Sequence, residues 1–250
     1  MITQYVITLK AIQGHPLYSD SAYRLYAYLL EKLPVADGQW LHEEGARSIS
    51  QFLCYDKEEK TYRWTVNILT DEAAEILVPV MDSLLEVTVE SQTFPVLDKT
   101  IRKITAELLL NRARDEIGNK RTLSFLTAAS FKQNGRYVIF PQERLILQSL
   151  IMRWNEVFPQ YVLEDEDAFQ AILTGIHIVD YQLRTSRFHL KGIRIPGFIG
   201  SCIVEARLAL PLMELWNTLL LFADYSGIGI KTGLGMGGLQ VEKMKNTTTG

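Results

Sequence analysis

Histidine side chains are the groups in this chain best suited to carry protons during catalysis. The ordinary pKa of an imidazole, about 6.5, leaves both its protonated and its neutral form populated near neutral pH. Such a side chain can take a proton from one oxygen and return one to another. The chain has four: His15, His42, His177 and His189. The turn G-H-P-L around His15 predicts a loop residue, and the alternation I-H-I-V around His177 predicts a strand residue.

The densest basic stretch is R-T-S-R-F-H-L-K-G-I-R, residues 184–194. Side chains of a strand alternate between its two faces, so Arg187, His189 and Lys191 should share one face while the apolar residues between them face the core. Binding to an RNA backbone needs a basic stripe of this kind. A solvated strand face is the alternative, and the acidic balance of the chain favours RNA. The predicted RNA contacts of this stretch are Arg184, Arg187, His189, Lys191 and Arg194.

A glycine-rich stretch, G-I-G-I-K-T-G-L-G-M-G-G, occupies residues 227–238 and holds six of the chain's 16 glycines. Gly233, Gly235 and Gly238 match the spacing of a dinucleotide-binding loop, but that motif needs a strand before it and a βαβ unit after it. Lys231 and Thr232 lack the residue order of a P-loop. The remaining possibilities are a loose loop and a loop whose backbone amides and lysine receive phosphate oxygens.

The composition is that of an ordinary soluble globular protein, with 47% hydrophobic and 22% charged residues. The formal net charge of -3 argues mildly against a nonspecific nucleic-acid binder. The first ten residues alternate as a strand and show no signal-peptide pattern, so we expect a cytoplasmic protein without membrane association. Cys54 and Cys202 have no ligand spacing and predict buried free thiols. No acidic or histidine cluster has metal-ligand spacing, so we expect neither metal nor cofactor.

The order of predicted elements indicates the fold. The first half gives strand, helix, strand, strand, helix and strand, in the ranges 2–11, 22–33, 48–55, 62–69, 72–84 and 85–90. This βαββαβ order is the ferredoxin-like unit. The second half repeats it with insertions, in strands 123–130, 137–140, 171–190, 198–210 and 239–242 and helices 141–157 and 212–223. We predict an α+β protein with two tandem ferredoxin-like (RRM-like) domains, residues 1–100 and 101–245, and a disordered tail, residues 246–250.

The glycine-rich stretch, following a helix that itself follows the G-F-x-G of Gly197–Gly200, carries a family resemblance. It resembles the C-terminal signature of CRISPR-associated endoribonucleases of the repeat-associated mysterious protein (RAMP) superfamily, in particular the branch that cuts precursor CRISPR RNA within its repeats. The resemblance implies two ferredoxin-like domains side by side, with repeat RNA bound across them and in contact with the glycine loop. The RNA contacts that it implies are Gly227, Gly229, Lys231, Thr232, Gly233, Gly235 and Gly237.

The same resemblance implies RNA cleavage without a metal ion, in which the ribose 2′-OH attacks the adjacent phosphate and leaves a 2′,3′-cyclic phosphate. The stretch W-L-H-E-E-G-A-R-S-I-S-Q-F is similar to the segment that carries the family's catalytic histidine, so His42 is the expected general acid or base. Arg47 stands near a position where the family often has lysine; an arginine stabilises a phosphorane but is a poor proton donor. A tyrosine of the first helix is the usual third participant, and Tyr28 is preferred to Tyr23.

Two other functions stay open at this point. A RAMP-type subunit that holds guide RNA in a CRISPR effector complex without cutting it would use the same glycine loop. A small-molecule-binding protein with duplicated ferredoxin-like domains would need a convergent polar pocket. The expected partners are CRISPR repeat RNA and, in the first alternative, other CRISPR effector subunits; monomer and homodimer are both compatible with the sequence.

Overall fold

The computed structural model describes residues 1–43 and 47–243. A five-stranded antiparallel sheet forms the N-terminal half. Its strands are β1 (Ile2–Lys10), β2 (Ile49–Asp56), β3 (Thr61–Ile68), β4 (Glu86–Val89) and β5 (Gln92–Ile104). They lie side by side in the order β2-β3-β1-β5-β4. The first four of these neighbours have the strand order of a ferredoxin-like fold, and β4 adds a hairpin at the edge.

Three helices accompany this sheet. They are α1 (Ala22–Glu31), which follows a 3₁₀ turn at Ser19–Ser21, α2 (Val35–Glu43) and α3 (Asp71–Ser83). The ferredoxin-like order predicted for the first half is confirmed, but the predicted fourth strand, 85–90, is the edge strand β4, and the fourth position is occupied by β5, which was not predicted. Helix α2 is not among the predicted elements, because Pro34 also fits the end of the first helix. A proline is equally suited to the start of a helix, where no intrahelical donor is needed.

A four-stranded antiparallel sheet forms the C-terminal half. Its strands are β6 (Lys120–Ala129), β9 (Ile176–Leu190), β10 (Ile193–Ala206) and β11 (Leu239–Lys243), and a separate small hairpin consists of β7 (Phe131–Gln133) and β8 (Arg136–Val138). The sheet order is β11-β6-β10-β9, again ferredoxin-like. The predicted strand 137–140 is thus the end of the small hairpin and does not belong to the main sheet.

Four helices belong to the second half: α4 (Ala106–Asp115), α5 (Glu143–Val157), α6 (Glu166–Gly175) and α7 (Leu210–Ser226). Helix α4 is not among the predicted elements, and residues 171–175, predicted as strand, form the end of α6. The N-terminal sheet continues to Ile104, and Thr105 caps α4. The expected domain boundary between residues 100 and 101 therefore falls inside β5. The expected tail, residues 246–250, lies outside the described residues.

Apolar side chains form one large core in each half and a small third cluster between them. On α1 the buried residues are Ala22, Leu25, Tyr26 and Leu29, which recur at the spacing of one helix face. The third cluster consists of Ala128, Phe188, Leu190, Ile195 and Met236. It joins the β9–β10 hairpin to the glycine-rich stretch, so it fixes the relative position of these two predicted RNA-binding elements.

Two further predictions concern the thiols and the membrane. Cys54 is half-buried and Cys202 buried, and both are free. Burial raises the pKa of the Cys54 thiol to about 11. No helix in the described part of the chain is long and apolar enough to cross a membrane.

Candidate functional site

The glycine loop, residues 227–238 between α7 and β11, is mostly buried at the junction of the two domains. Its main-chain amides are largely used within the loop and the neighbouring strand: Ile228 donates to the carbonyl of Gly237 at 3.0 Å, and Gly237 donates to that of Ala128 at 2.9 Å. The loop is therefore held in one conformation by its own backbone. It is not a loose linker.

The glycines of this loop have a packing role. Gly235 has φ +108°, and a Cβ on it would lie 2.5 Å from the Cβ of Ala22 in α1. Gly237 has φ +64°, and a Cβ there would meet the carbonyl oxygen of Ile228. A Cβ on Gly238 would lie 2.5 Å from Cγ of Phe52 in β2. Bare backbone is thus required so that the loop can pack against the N-terminal domain.

A buried glutamine anchors the loop to that domain. Nε2 of Gln51 in β2 donates to the carbonyl oxygens of Gly233 at 3.1 Å and of Ala22 at 2.9 Å. Nε1 of Trp64 in turn donates to Oε1 of Gln51 at 2.7 Å. Both N–H donors and the carbonyl oxygen of the Gln51 side chain are therefore hydrogen-bonded. The side chain joins the loop, α1 and the N-terminal sheet rigidly.

Lys231 is the exposed residue of the loop, with a left-handed backbone at φ +56°. Its neighbour Thr232 is buried and accepts a hydrogen bond through Oγ1 from Nη2 of Arg153 in α5, at 3.2 Å. The buried glycines 227, 233, 235 and 237 are enclosed by protein, whereas Lys231 presents its ammonium group to solvent. RNA contact by these predicted loop residues stays a prediction, and Lys231 has the best access for it.

His42 lies in the last turn of α2 and is exposed. The hydroxyl of Tyr26 in α1 donates to the carbonyl oxygen of Leu41 at 3.1 Å. This hydrogen bond shows that α2 returns alongside α1 and fixes the backbone immediately before His42. His42 therefore lies close to the turn of α1 that contains Tyr26.

The two candidate tyrosines of α1 lie in different surroundings. The hydroxyl of Tyr28 donates to the carbonyl oxygen of Glu86 in β4 at 3.2 Å, and its ring carries Nζ of Lys32 at 4.9 Å from the centroid. Tyr23 packs against the small cluster between the domains, together with Leu234 of the glycine loop. No hydrogen bond among the described residues joins Tyr28 to His42, and its catalytic role stays a prediction.

Arg47 is exposed at the start of β2, on the far side of residues 44–46, which lie outside the described part of the chain. Its Nε is 3.7 Å from Oε1 of Glu156 in α5. Its carbonyl oxygen accepts a hydrogen bond from Nη1 of Arg153 at 3.0 Å. Because Arg153 also binds Thr232, Arg47 and the glycine loop lie on the same side of the domain junction.

The basic stretch of residues 184–194 forms the β9–β10 hairpin, and its alternation is confirmed: Arg187 and His189 are exposed, while Phe188 is buried. Arg194 pairs with His189 and so shares its face. Two residues depart from the predicted stripe. Lys191 lies in the hairpin turn with φ +48°, and Arg184 lies on the opposite face because its spacing from Arg187 is odd.

The hairpin also contacts the N-terminal domain. Nδ1 of His189 is 3.0 Å from Oδ2 of Asp20, in the 3₁₀ turn that precedes α1. This contact joins the basic hairpin to the start of the helix that runs beside His42. The hairpin and the glycine loop therefore both contact the N-terminal end of α1, the helix to which Leu41, the residue before His42, is hydrogen-bonded.

A cleft of about 560 Å³ lies between the two sheets. No local pattern in the sequence predicts this cleft, because its lining residues come from both halves of the chain. Its charged residues are Arg63, Asp98, Arg102, Arg112 and Asp224. Burial raises the pKa of the Asp224 carboxyl to about 7, although its Oδ1 accepts a 2.6 Å hydrogen bond from the amide of Val241. In the described residues no group of three or more histidine, cysteine or acidic side chains could hold a metal ion.

Comparison with solved structures agrees with this architecture. Cas6 from Thermus thermophilus superposes with a TM-score of 0.74 at 23% identity, covering 97% of this chain and 98% of that one. A Cas6 product complex superposes with a TM-score of 0.79 at 22% identity, covering 97% and 100%. These likenesses support the tandem ferredoxin-like fold.

Sequence comparison identifies the family. The model of the CRISPR-associated endoribonuclease Cas6 matches residues 123–239. The CRISPR-associated endoribonuclease Cas6 of Streptococcus thermophilus is 31% identical over 243 residues, 96% of this chain and 98% of that protein. The protein of the same name from Mycobacterium tuberculosis is 26% identical over 229 residues, 88% of this chain and 71% of that protein. The chain therefore belongs to the Cas6 family of CRISPR-associated endoribonucleases.

Proposed function

We propose that this protein binds CRISPR repeat RNA in precursor transcripts and cleaves it to give mature crRNA. The observation that carries the proposal is that Arg153 joins Arg47 to the glycine loop that carries Lys231, and that this loop and the basic β9–β10 hairpin both contact the start of α1. Family membership supplies the reaction class, and the solved Cas6 product complex supports RNA as the substrate.

In the proposed reaction the ribose 2′-oxygen attacks the adjacent phosphorus as it loses its proton. The bond from phosphorus to the 5′-oxygen breaks, and that oxygen takes up a proton. His42 is assigned one of these two proton transfers, because its imidazole at the end of α2 is exposed and accessible to RNA. Arg47 is assigned to the negative charge of the phosphorane, which a guanidinium stabilises without giving up a proton. Tyr28 remains the proposed third participant, by resemblance alone.

RNA binding is assigned mainly to exposed cations. Lys231 is exposed in the glycine loop, and Arg187, His189 and Arg194 share one face of the hairpin. Arg184 and Lys191 lie outside that face and are also proposed to contact the RNA. A backbone track of this kind binds RNA through phosphate neutralisation, so its affinity should fall as salt rises.

The reaction itself can be tested with a labelled repeat RNA and the purified protein in EDTA. We expect cleavage at one site, with a 2′,3′-cyclic phosphate on one product and a 5′-OH on the other. The matched control is the same RNA with a single 2′-deoxy nucleotide at the cleavage site, which should bind and stay intact because the attacking oxygen is missing. Cleavage of the 2′-deoxy RNA, or loss of all cleavage in EDTA, would contradict the proposed chemistry.

Replacing Lys231 with alanine should weaken binding of the 2′-deoxy repeat RNA by about tenfold, as expected for losing one charged hydrogen bond. The slope of log affinity against log salt should also decrease by about one. The rate of cleavage within preformed complexes should stay within about threefold, because the side chain is assigned to binding. Lys60→Ala is the matched control, since Lys60 is also an exposed lysine in a left-handed turn, with φ +53°. A larger effect on rate than on affinity would place Lys231 in the catalytic site instead.

A further inference from the structure

Arg153 is a buried arginine that contacts both domains. It lies in α5 with only 11% of its side chain exposed. Its Nη1 donates to the carbonyl oxygen of Arg47 at 3.0 Å, and its Nη2 donates to that of Ile49 at 3.2 Å. Nη2 also donates to Oγ1 of Thr232 in the glycine loop at 3.2 Å. A single guanidinium thus holds the main chain of Arg47 and Ile49 against the loop that carries Lys231.

Burial of the charged Arg153 side chain costs free energy, so stability alone does not account for its position. Burial lowers the pKa of the Arg153 guanidinium, and Glu156, whose Oε2 lies 3.2 Å from Nη1, opposes that effect. Its Nε is buried and has no hydrogen-bond partner in the described part of the chain. Buried charges with incomplete hydrogen bonding are often less stabilising than apolar residues of similar volume. The arrangement is better explained by a need to fix geometry than by a need for stability.

We propose that Arg153 is a positioning residue for RNA cleavage, which sets Arg47 and the start of β2 in place relative to the glycine loop. The inference rests on the proposed function. Arg153 itself is too buried to bind the substrate and acts through the groups that it holds. Because one side of the site comes from the N-terminal domain and the other from the C-terminal domain, a shift between them would misplace the reacting phosphate relative to His42.

The residue type fits this task. A planar guanidinium offers several donors in a fixed geometry, so it can serve two carbonyl oxygens and one hydroxyl at once. Lysine has a single nitrogen at the end of a flexible chain and cannot reproduce the fork. Arg153→Lys should therefore keep the charge and the fold but lose most of the positioning. Arg153→Met, which keeps the apolar volume and removes every donor, should lose all of it.

The test uses the full chain and compares Arg153→Met and Arg153→Lys with Arg144→Met. Arg144 is the control because it lies in the same helix, with its guanidinium 5.4 Å from the ring centroid of Phe169, away from the site. With enzyme in excess, the cleavage rate of bound RNA should fall by about 100-fold in Arg153→Met, as expected for a misplaced reacting group. Affinity for the 2′-deoxy repeat RNA should change less than threefold. Arg153→Lys should recover only part of the rate, and Arg144→Met should match the wild type.

Amide hydrogen exchange gives a second readout that does not need RNA. Peptides covering residues 47–50 should exchange faster in both Arg153 variants than in the wild type and in Arg144→Met. A variant with normal cleavage and normal exchange overturns the inference, and so does an equal loss of affinity and rate. If Arg153→Met does not fold, Arg153→Lys alone decides between these outcomes. If the wild-type protein does not cleave the RNA, the proposed function is refuted instead. The exchange experiment needs no RNA, so it still reports whether Arg153 holds residues 47–50 in place.

Discussion

Replacing His42 with alanine is expected to slow cleavage of bound repeat RNA by about 10² to 10⁴-fold, the usual contribution of a side chain that transfers a proton. The physical reason is that either the 2′-OH loses its proton acceptor or the leaving 5′-oxygen loses its donor. Binding should survive, because the imidazole is exposed at the end of α2 and is not a phosphate clamp. The measurements are single-turnover cleavage in EDTA and affinity for the 2′-deoxy repeat RNA.

His177→Ala is the matched control for this prediction. His177 is also exposed, but it lies in β9 and outside the assigned site. Both variants should fold as the wild type does, so a thermal melt excludes an indirect effect. Cleavage by the His42 variant at the wild-type rate would show that another residue transfers the proton. A loss of affinity equal to the loss of rate would make His42 an RNA-binding residue.

Replacing Gly237 with alanine is expected to lower the free energy of unfolding by about 3 kcal/mol or more. About 1 kcal/mol or more comes from placing a Cβ at φ +64°. The rest comes from overpacking against the carbonyl oxygen of Ile228, which belongs to the backbone and cannot rotate away. The melting temperature should fall by about 6 to 12 °C for a chain of this size. Thermal unfolding followed by circular dichroism measures the effect.

Gly135→Ala separates the two contributions. Gly135 has a similar backbone, φ +78°, but a Cβ there would meet nothing within 4 Å. Its substitution should cost only about 1 kcal/mol, the strain of the left-handed conformation. Equal effects of the two substitutions would show that the glycine loop is not closely packed, and the loose-loop interpretation of residues 227–238 would then be correct.

The two glycine predictions also bear on how the loop binds RNA. If Gly237→Ala unfolds the junction, loss of RNA binding in that variant says nothing about direct contact. Lys231→Ala is therefore the cleaner probe, because its exposed side chain can be removed without disturbing the packing. Comparing the two separates a loop that binds RNA from a loop that only holds the domains together.

The sequence by itself determined the order of β1, α1, β2, β3 and α3 in the first domain. Local periodicity was sufficient there: Ala22, Leu25 and Leu29 recur at helical spacing and share the buried face of α1. The alternation of exposed Arg187 and buried Phe188 was equally readable. The errors were also local, as with α2, where Pro34 is compatible with both an end and a start of a helix. The family resemblance came from the spacing of the glycines and of the histidine segment.

Only the tertiary structure decided what those residues contact. The sequence shows that bare backbone is needed at residues 227–238, but Ala22 and Phe52, which require it, lie in the other domain. Arg153 carried no sequence signal, because it is one charged residue in an amphipathic helix and its partners Arg47 and Thr232 are distant in the chain. Propensity and periodicity act over a few residues, whereas burial and hydrogen bonding across the junction depend on how the two domains pack. That packing is what turned a glycine-rich stretch into a rigid domain contact beside the proposed catalytic segment.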